Sequence, residues 1–323
     1  MFDTLVGARF LITGGCGFIG ANLVRSVIAQ GGMVHVLDNL LTGKEENLPR
    51  QGEVVLHRED LRTTTKLDEI LADVHYVIHA ACVNIMLAEQ DPFLVNDTNI
   101  TGTLRLIEAA HRAAHLRKVV NCSSASVYGN PEVLPIGEHC KTKPLSAYAV
   151  TKLAGEHYAQ IAYILRRMPV TVLRYSNVYG PLQTPDSPYS GVIGHFFGAA
   201  QAGKQITVYG NGSQTRDFTY IDDVVEATLA ATLSDQAIGR VFNVATGHET
   251  SVNDLATRIA ALYGLEPDLR YIRKRENIDN ISRRCLSVEQ IRITLQWEPV
   301  YDLNSGLRAT KEWFDLGPAP RRG

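Results

Sequence analysis

The sequence predicts an α/β fold: a doubly wound parallel β-sheet with helices on both faces, and a smaller C-terminal α/β substrate-binding lobe. Short β-branched runs alternate with longer amphipathic stretches through the first half of the chain, which is typical of βαβ units. The strand-like runs are apolar without strict alternation, as expected of parallel strands buried on both faces. After Arg174 the alternation stops, and frequent Gly, Pro, Asn and Tyr favour binding loops.

These patterns place each predicted element and domain. The strand-like runs are residues 9–13, 33–38, 54–57, 74–79, 119–123 and 170–174. The helical patterns between them are residues 17–30, 65–72, 92–114 and 147–167. A helix at 222–233 and a strand at 240–245 are predicted to return to the first sheet. We therefore predict a dinucleotide-binding domain of residues 1–174 joined by about 218–245, a lobe of 175–217 and 246–314, and a tail at 315–323.

Composition and charge argue against a nucleic-acid-binding protein and against a membrane protein. The chain has 323 residues, 45% of them hydrophobic, and a net charge of −2 without a Lys/Arg-rich run. Binding to nucleic acid or to an anionic membrane surface is therefore not expected. No apolar run reaches the roughly 18 residues of a membrane span, and the N-terminus lacks a signal-peptide pattern. The five cysteines lack metal-ligand spacing, so we predict reduced thiols, no metal site and a cytoplasmic location.

A glycine pattern follows the first predicted strand. Gly14, Gly17 and Gly20 fit G-x-x-G-x-x-G at the start of a predicted helix. Gly14 would allow the tight turn, Gly17 the approach of a pyrophosphate, and Gly20 close packing of helix on strand. The helix N-terminus would offer N–H groups to the anion. A glycine-rich turn without a ligand is the alternative, but this position favours a Rossmann-type dinucleotide site.

The ends of the next predicted strands suit the rest of a dinucleotide. Asp38 lies eighteen residues after the last of these glycines. It would bind the ribose 2′-OH and repel a 2′-phosphate, which favours NAD over NADP; a turn aspartate is the alternative. Asp60 and Leu61 end the third strand region and are expected near the adenine. Ala80 and Ala81 close the fourth strand, where small side chains would let the backbone approach the dinucleotide.

Tyr148 and Lys152 form the pair that suggests catalysis. They lie four residues apart in a predicted helix and therefore share one face. A free tyrosine titrates near ~10, but a neighbouring ammonium and an oxidised nicotinamide both favour its phenolate. A packed Tyr and an exposed Lys are the alternative. Because the pair follows a dinucleotide motif and the serine-rich segment before Tyr128, we predict that Tyr148 is a catalytic base.

Nearly the whole chain resembles the extended, nucleotide-sugar-modifying branch of the short-chain dehydrogenase/reductase family, in its UDP-glucose 4-epimerase-like group. The motifs follow the family's order: TGGCGFIG, DNLLTG, HAA, NITGTLRLIEAA, SSASVYG, YAVTK, LRYSNVYGP, VYGNGSQTRDFTYIDD, and WEP before GL. The resemblance implies NAD as the cofactor and a UDP-sugar as the substrate.

The resemblance also assigns roles residue by residue. Ser124 matches the catalytic Ser or Thr, Tyr148 the base and Lys152 its partner. The implied cofactor-binding residues are Gly14, Gly17, Phe18, Ile19, Gly20, Asp38, Asn39, Asp60, Leu61, Ala80, Ala81, Asn99, Tyr148, Lys152 and, beside the nicotinamide, Tyr175. The implied substrate-binding residues are Ser124, Ser126, Tyr148, Asn177, Val192, Val208, Tyr209, Arg216, Arg275 and Arg284. A guanidinium suits phosphate oxygens, so Arg216 is expected on the diphosphate; a surface ion pair with Asp217 is the alternative.

The residues after Ser124 decide the class of reaction. Similar dehydratases carry Asp-Glu at these positions, and similar decarboxylases keep a Glu in the segment, whereas this chain has Ala125 and Ser126. Neither side chain is a general acid at neutral pH. Removal and return of a hydride remain. The resemblance therefore predicts an NAD-dependent isomerase that epimerises C4 of a UDP-sugar through a transient 4-keto intermediate.

Two positions leave the sugar open. Many UDP-glucose epimerases carry a lysine after the fourth strand, where this chain has the run Cys82-Val83-Asn84. The position that sets acceptance of hexose or N-acetylhexosamine aligns near Arg284, whose charge would suit a uronate. UDP-glucose or UDP-galactose, their N-acetyl forms and UDP-glucuronate are all candidate substrates.

Two other functions are possible for this fold, and a homodimer is expected. A nucleotide-sugar dehydratase or oxidoreductase would release a dehydrated or oxidised product. A non-catalytic NAD-sensing regulator on this fold tends to lose the Tyr/Lys pair, which is intact here. The resemblance further implies a homodimer with a four-helix interface built from residues 99–114 and 148–167.

Overall fold

Parallel strands build a large sheet from the first half of the chain, as the alternating pattern predicts. The computed structural model describes residues 5–183, 191–272 and 281–316. The strands in these ranges are β1 (Arg9–Thr13), β2 (Met33–Leu37), β3 (Val54–His57), β4 (Tyr76–His79), β5 (Lys118–Ser124), β6 (Val170–Tyr175), β7 (Asn177–Tyr179), β8 (Ile206–Tyr209), β9 (Thr215–Tyr220), β10 (Val241–Val244), β11 (Glu249–Ser251) and β12 (Leu269–Ile272). The α-helices are α1 (Phe18–Ala29), α2 (Leu67–Ile70), α3 (Ile85–Gln90), α4 (Pro92–Asn96), α5 (Thr103–Arg112), α6 (Ala147–Arg166), α7 (Val192–Gln201), α8 (Ile221–Leu233), α9 (Val252–Leu262), α10 (Glu289–Leu295) and α11 (Leu303–Leu316).

The order of strands in the large sheet defines where a ligand can bind. The order is β10-β6-β5-β4-β1-β2-β3, and every neighbouring pair is parallel. The connections run in opposite directions on the two sides of β1 and β4. In sheets of this kind a crevice opens at the carboxyl ends of the strands at that point. Thr13, the last residue of β1, pairs with Leu37 and His79 at this edge.

Helices cover both faces of this sheet. On one face α1 and α8 pack on the strands through buried side chains such as Leu23, Val27 and Val224. On the other face α5 and α6 contribute Leu106 and Ala159 to a second apolar cluster. Burial of a leucine side chain stabilises a fold by about 1.5–3 kcal/mol, so these two layers hold the sheet and position its carboxyl edge.

The sequence-based elements agree with the structure in most places. The prediction that 240–245 returns to the large sheet is confirmed, because β10 pairs with β6. The single helix predicted at 92–114 is instead α4, a π-helical turn at Asp97–Gly102 and α5. The helix α3 was not predicted. The strand β9 overlaps the start of the predicted return segment 218–245, yet it lies in a separate sheet.

The remaining strands form two small sheets outside the large one. β11, β9 and β7 make a three-stranded sheet, and β12 pairs with β8 in a parallel ribbon. α9 and α7 pack against one another and against β8. In the described ranges, no helix combines the length and apolar character that crossing a membrane requires.

Candidate active site

The glycine motif at the junction of β1 and α1 is packed so closely that Gly14 in the loop and Gly20 in the first turns of α1 admit no side chain. Gly14 has φ 69°, and a Cβ there would lie 2.7 Å from the Cα of Ala81. A Cβ on Gly20 would overlap the carbonyl oxygen of Gly14. α1 begins after Gly17, which has no side chain to occupy the N–H groups of the first turn. These groups can therefore receive a diphosphate.

We expect Gly14→Ala to weaken NAD binding about tenfold or more, because the new methyl group must displace the backbone of Ala81 and because alanine is strained at positive φ. Equilibrium binding of NAD measures the change. Gly203→Ala is the matched control, since Gly203 has φ 62° and open space around its Cβ position. Equal losses in both variants would assign the effect to backbone strain alone.

One cavity at the carboxyl edge of the sheet is lined by most residues predicted to bind the cofactor. These are Gly14, Gly17, Phe18, Ile19, Gly20, Asp38, Asn39, Asp60, Leu61, Ala80 and Ala81. Thr98, which sequence reasoning missed, lines it as well, and its buried hydroxyl has no hydrogen-bond partner among the described residues. Buried hydroxyls are normally paired, so a ligand would complete this site. The residues present therefore fit a dinucleotide.

Asp38 is held at the end of β2 by the backbone of two loops. Its Oδ2 accepts a hydrogen bond from the N–H of Cys16 at 2.9 Å, and its Oδ1 accepts one from Leu40 at 2.8 Å. The side chain is buried, yet it lines the cavity. A carboxylate fixed here suits ribose hydroxyls and disfavours a 2′-phosphate.

Asp60, predicted near the adenine, uses its carboxylate within the protein. Arg62 donates to its two oxygens, from Nε at 2.9 Å and from Nη2 at 2.7 Å, and Asn39 Nδ2 donates at 3.0 Å. The hydrogen bonds from Arg62 hold the pKa of Asp60 well below its ordinary value. Asp60 therefore stays ionised and fixes Asn39 at the rim of the cavity.

Asn99 is placed by the π-helical turn, a local structure that often occurs at functional sites. Its Oδ1 accepts from the N–H of Val83 at 2.7 Å, and its Nδ2 donates to the carbonyl of Val83 and to Thr151 Oγ1, both at 3.0 Å. The side-chain amide of Asn99 therefore joins the loop after β4 to α6 through these three hydrogen bonds. Asn99 thereby fixes Val83 in the cavity wall, and its contact with the cofactor stays a prediction.

Tyr175, predicted beside the nicotinamide, directs its hydroxyl into the core. The hydroxyl lies 2.7 Å from Thr228 Oγ1 and 3.2 Å from Cys122 Sγ. Burial raises the pKa of Tyr175 well above its ordinary value. The hydroxyl of Tyr175 is therefore held in the core by Thr228 and Cys122, and a contact of its ring with the nicotinamide stays a prediction.

The predicted base and its partner stand where α6 meets the end of β5. Lys152 is buried, and its Nζ donates to the carbonyl oxygen of Cys122 in β5. Tyr148, one turn earlier, packs against an apolar cluster that contains Val83, a residue of the cavity wall. The N-cap Ser146 accepts from the N–H of Ala149 at 3.2 Å and fixes the start of the helix. α6 thereby brings Tyr148 and Lys152 to the carboxyl edge of the sheet.

Ser124, the last residue of β5, caps the turn that follows and still has a proton to donate. Its Oγ accepts from the N–H of Ser126 at 3.2 Å, so it caps the 3₁₀ turn Ala125–Tyr128. Because the oxygen accepts this bond, its own proton can still be donated to a substrate oxygen. The hydroxyl of Ser126 is buried without a hydrogen-bond partner among the described residues. No carboxylate stands in this turn.

A buried ion pair lies directly behind these residues, and sequence reasoning missed it. Arg174 binds Glu156 through Nε at 3.0 Å and Nη2 at 2.6 Å, and Ser123 Oγ donates to the same carboxylate. Both charged side chains are almost fully buried, at 7% and 1% exposure. Glu156 follows Lys152 by one helical turn, so the ion pair and the bond from Ser123 join α6 to β6 and β5.

The ion pair continues into a hydrogen-bond network that reaches the lobe. Arg174 Nη1 donates to the hydroxyl of Tyr128 at 2.8 Å, and that hydroxyl donates to Asn243 Oδ1 at 2.7 Å. Asn243 Nδ2 donates to the carbonyls of Ile136 at 2.9 Å and Ser287 at 3.1 Å. The network therefore ties the 3₁₀ turn Ala125–Tyr128 to the segment that precedes α10.

The residues predicted to hold the nucleotide differ in their environments. Asn177, on β7, has a buried Oδ1 without a hydrogen-bond partner among the described residues, as expected of a binding group. Val208 is fully buried in the core, so only its backbone could meet a ligand, whereas its neighbour Tyr209 is exposed. Val192 begins α7. Arg275 lies outside the described residues.

Arg216 and Asp217, adjacent on β9, do not form the surface ion pair that was the alternative prediction. Asp217 is fully buried, and its carboxylate accepts from the N–H groups of Thr246, Gly247 and Leu286 at 2.9–3.3 Å. Burial raises its pKa against the effect of these bonds. Arg216 Nη1 donates to the carbonyls of Thr215 at 2.8 Å and Ile281 at 2.9 Å.

Comparisons with known proteins show which family this chain resembles. A sequence profile of the "NAD dependent epimerase/dehydratase family" matches residues 10–245. A UDP-glucose 4-epimerase of Mycolicibacterium smegmatis is 36% identical over 95% of this chain and 98% of its own. A UDP-N-acetyl-alpha-D-glucosaminuronate decarboxylase of Bacillus cytotoxicus is 30% identical over 95% of this chain and 97% of its own.

A solved structure supports the same assignment. The structure of the UDP-glucose 4-epimerase of Thermotoga maritima with UDP-glucose superposes with a TM-score of 0.90 at 32% identity, over 95% of this chain and 98% of that chain. The strand order, the glycine loop and the Tyr148/Lys152 pair are thus accompanied by similarity along nearly the whole chain. The chain belongs to the NAD-dependent epimerase/dehydratase family, in the extended branch of the short-chain dehydrogenases/reductases.

Proposed function

We propose that this protein is an NAD-dependent isomerase that epimerises C4 of a UDP-sugar. The observation that carries the proposal is the turn after β5: a serine in position to bind a substrate oxygen is followed by Ala125 and Ser126 instead of a carboxylate. Ala125 is itself buried. Tyr148, Lys152 and Ser124 would supply a base, its cationic partner and a hydroxyl donor, whereas this described turn offers no carboxylic acid for the expulsion of water.

The residues of the chain would divide the proton chemistry between them. When bound, NAD supplies reversible acceptance of a hydride. Tyr148 would take the proton of the sugar 4-OH and return it at the end of the cycle, while Ser124 donates a hydrogen bond to the same oxygen. The ammonium of Lys152, held against the carbonyl of Cys122, favours the phenolate of Tyr148. These four residues lie on β5 and α6, two elements packed directly together.

Incubation of the purified protein with a UDP-sugar, without added NAD, tests the reaction type. We expect a mixture of C4 epimers and no accumulation of reduced coenzyme. A stable 4-keto-6-deoxy product, loss of CO₂ or stoichiometric coenzyme reduction would instead identify a dehydratase, a decarboxylase or an oxidoreductase. Binding of NAD without turnover of any UDP-sugar would favour a sensing role.

We further propose that Arg284 selects an acidic sugar, with UDP-glucuronate as the substrate. Arg284 is 4% exposed. It lies just before Cys285, whose carbonyl accepts from the N–H of Ile136 at 2.8 Å, and Leu286, which packs with Ala125. This segment therefore lies against the catalytic turn. One 30% identical relative is named for action on a uronate.

Arg284→Leu is expected to lower turnover of UDP-glucuronate by about 10- to 100-fold, since a hydrogen bond to a charged group contributes roughly 1.5–3 kcal/mol. Turnover of UDP-glucose should change far less. Arg283→Leu is the matched control, because Arg283 is exposed and pairs with Glu249. Equal rates of the wild-type protein with UDP-glucose, UDP-N-acetylglucosamine and UDP-glucuronate would refute a selecting role.

The homodimer is also a proposal, supported by an apolar stripe on α6. Val150, Tyr158, Ile161 and Leu165 are spaced to share one side of the helix, and Leu165 is 74% exposed. α5 lies alongside, joined through Arg166 and Glu108 at 2.7 Å. Two such helix pairs would form a four-helix interface.

Ile161→Glu is expected to convert a dimer to a monomer in sedimentation measurements at micromolar concentration, because the introduced charge would be buried at the interface. Ile293→Glu, which alters another exposed isoleucine on α10, should leave the dimer intact. A wild-type protein that sediments as a monomer would refute the proposal.

A further inference from the structure

A chain of buried hydrogen bonds runs from the floor of the cofactor cavity to the start of the catalytic helix. At the cavity end, the N–H of Ala81 donates to Thr13 Oγ1 at 3.3 Å. Thr13 Oγ1 lies 2.7 Å from His79 Nδ1, and His79 Nε2 lies 2.8 Å from Thr103 Oγ1. Three elements of the large sheet and its helical cover, β1, β4 and α5, are thereby joined.

The chain continues through the π-helical turn to the catalytic helix. Thr103 Oγ1 donates to the carbonyl of Asn99 at 2.6 Å. The side-chain amide of Asn99 donates to Thr151 Oγ1 at 3.0 Å, and Thr151 Oγ1 donates to the carbonyl of Tyr148 at 2.9 Å. The side chains of Thr13, His79, Asn99, Thr103 and Thr151 are all buried, so water does not compete for these bonds.

Only one arrangement of protons gives every hydroxyl in this chain an acceptor. Thr103 gives its proton to Asn99, so towards His79 it can only accept, and His79 Nε2 must carry a proton. Thr13 accepts from Ala81 and can then donate its proton to a bare Nδ1. The partners therefore assign His79 as the neutral tautomer with its proton on Nε2.

The surroundings of His79 agree with a neutral ring. Burial, and then the positive charge of Lys152, lower the pKa of His79 to about 3. A second proton on the ring would lie on Nδ1. It would face the hydroxyl proton of Thr13, so two donors would meet and Thr13 would lose its acceptor. The ring is therefore a fixed donor and acceptor rather than a titrating group at neutral pH.

We propose that Thr13, neutral His79, Thr103 and Thr151 are positioning residues that couple the cofactor cavity to the placement of Tyr148. The chain fixes Ala81, which presses on the glycine loop, at one end and the backbone of Tyr148 at the other. Asn99 links its middle to Val83 in the cavity wall. The inference rests on the proposed function in taking Tyr148 as the base.

Removing the hydroxyls at the two ends tests the coupling. Thr151→Val is expected to weaken NAD binding about fivefold and to lower kcat by a similar factor, because one hydrogen bond contributes roughly 0.5–1.5 kcal/mol. The effect on NAD binding is expected even though Thr151 lies at the Tyr148 end of the chain. Thr13→Val should do the same, and Thr151→Ser should restore both quantities. In the double variant we expect little further loss, because either substitution already breaks the chain.

Matched controls make this result decisive. Thr310→Val removes a buried hydroxyl that donates to a helix carbonyl in the lobe, and it should leave NAD binding and kcat unchanged. Effects that multiply in the Thr13/Thr151 double variant, or NAD binding that is unaltered by Thr151→Val, would overturn the coupling.

A measurement on the wild-type protein separates this inference from the proposed function. With isotope-labelled histidine, the ring nitrogens of His79 should report the neutral tautomer with the proton on Nε2 between about pH 5 and 8, where a free histidine would titrate. A proton on Nδ1, or a charged ring at pH 6, would overturn the proposed chain. If epimerisation failed while this tautomer and the NAD-binding effects were found, only the reaction assignment would fall.

Discussion

Tyr148→Phe is expected to lower kcat for C4 epimerisation by about 10²- to 10⁴-fold, the range that a positioned general acid or base contributes. Phenylalanine retains the ring that packs against the cluster of Val83, Ala88 and Val95, and it removes only the hydroxyl oxygen. Binding of NAD should stay close to that of the wild-type protein. Steady-state turnover of the UDP-sugar and equilibrium NAD binding measure the two quantities separately.

Tyr158→Phe is the matched control for this loss, because Tyr158 lies on the same helix but is 37% exposed away from the cavity. It should retain full turnover. A Tyr148→Phe protein within a few-fold of wild-type activity would refute Tyr148 as the base. Equal losses of kcat and NAD binding would indicate instead that the hydroxyl supports the structure of the site.

Arg174→Met is expected to lower the free energy of unfolding by about 3–5 kcal/mol, because it leaves the carboxylate of Glu156 buried without its cation. The effect should be large since Glu156 is 1% exposed on its side chain. Urea unfolding followed by circular dichroism measures the change in midpoint and slope. Adding Glu156→Leu should recover much of the loss, because an apolar pair of similar volume often replaces a buried ion pair without net cost.

The matched control is an ion pair of the same chemistry on the surface. Arg112 binds Asp68 at 2.7 Å, with side chains that are 56% and 64% exposed. Arg112→Met should lower the free energy of unfolding by less than about 1 kcal/mol. Losses of the same size in Arg174→Met and Arg112→Met would refute a special contribution of the buried pair.

The sequence identifies those parts of the fold and site that depend on local pattern. Buried parallel strands produce apolar runs, so β1 and β3 lie at the predicted residues. The glycine spacing marks the cofactor loop because a Cβ at Gly14 or Gly20 would meet backbone. The spacing of Tyr148 and Lys152 likewise follows from one helical turn. Each of these features is determined by residues close together along the chain.

Features that depend on contacts between distant segments were missed or misplaced. The pattern of residues 92–114 predicts one helix. The structure instead has a π-helical turn within this range, where Asn99 hydrogen-bonds to Val83 and Thr151. In the sequence Arg174 ends an apolar strand and has no evident partner. In the structure β6 lies beside α6, and Arg174 binds Glu156 of that helix. A charged residue in a buried strand indicates that a partner exists, but the sequence does not identify Glu156 as that partner, because their contact depends on how α6 packs on β6.

The three-stranded sheet of β7, β9 and β11 has a consequence for how such a protein can change. β7 follows β6 almost directly, β9 precedes α8, and β11 comes after β10, so the strands of this sheet are interleaved along the chain with elements of the large one. The polypeptide passes back and forth between the two sheets. The lobe is therefore not one continuous stretch of sequence, and the exchange of a single stretch could not replace the small sheet without also replacing elements of the large one.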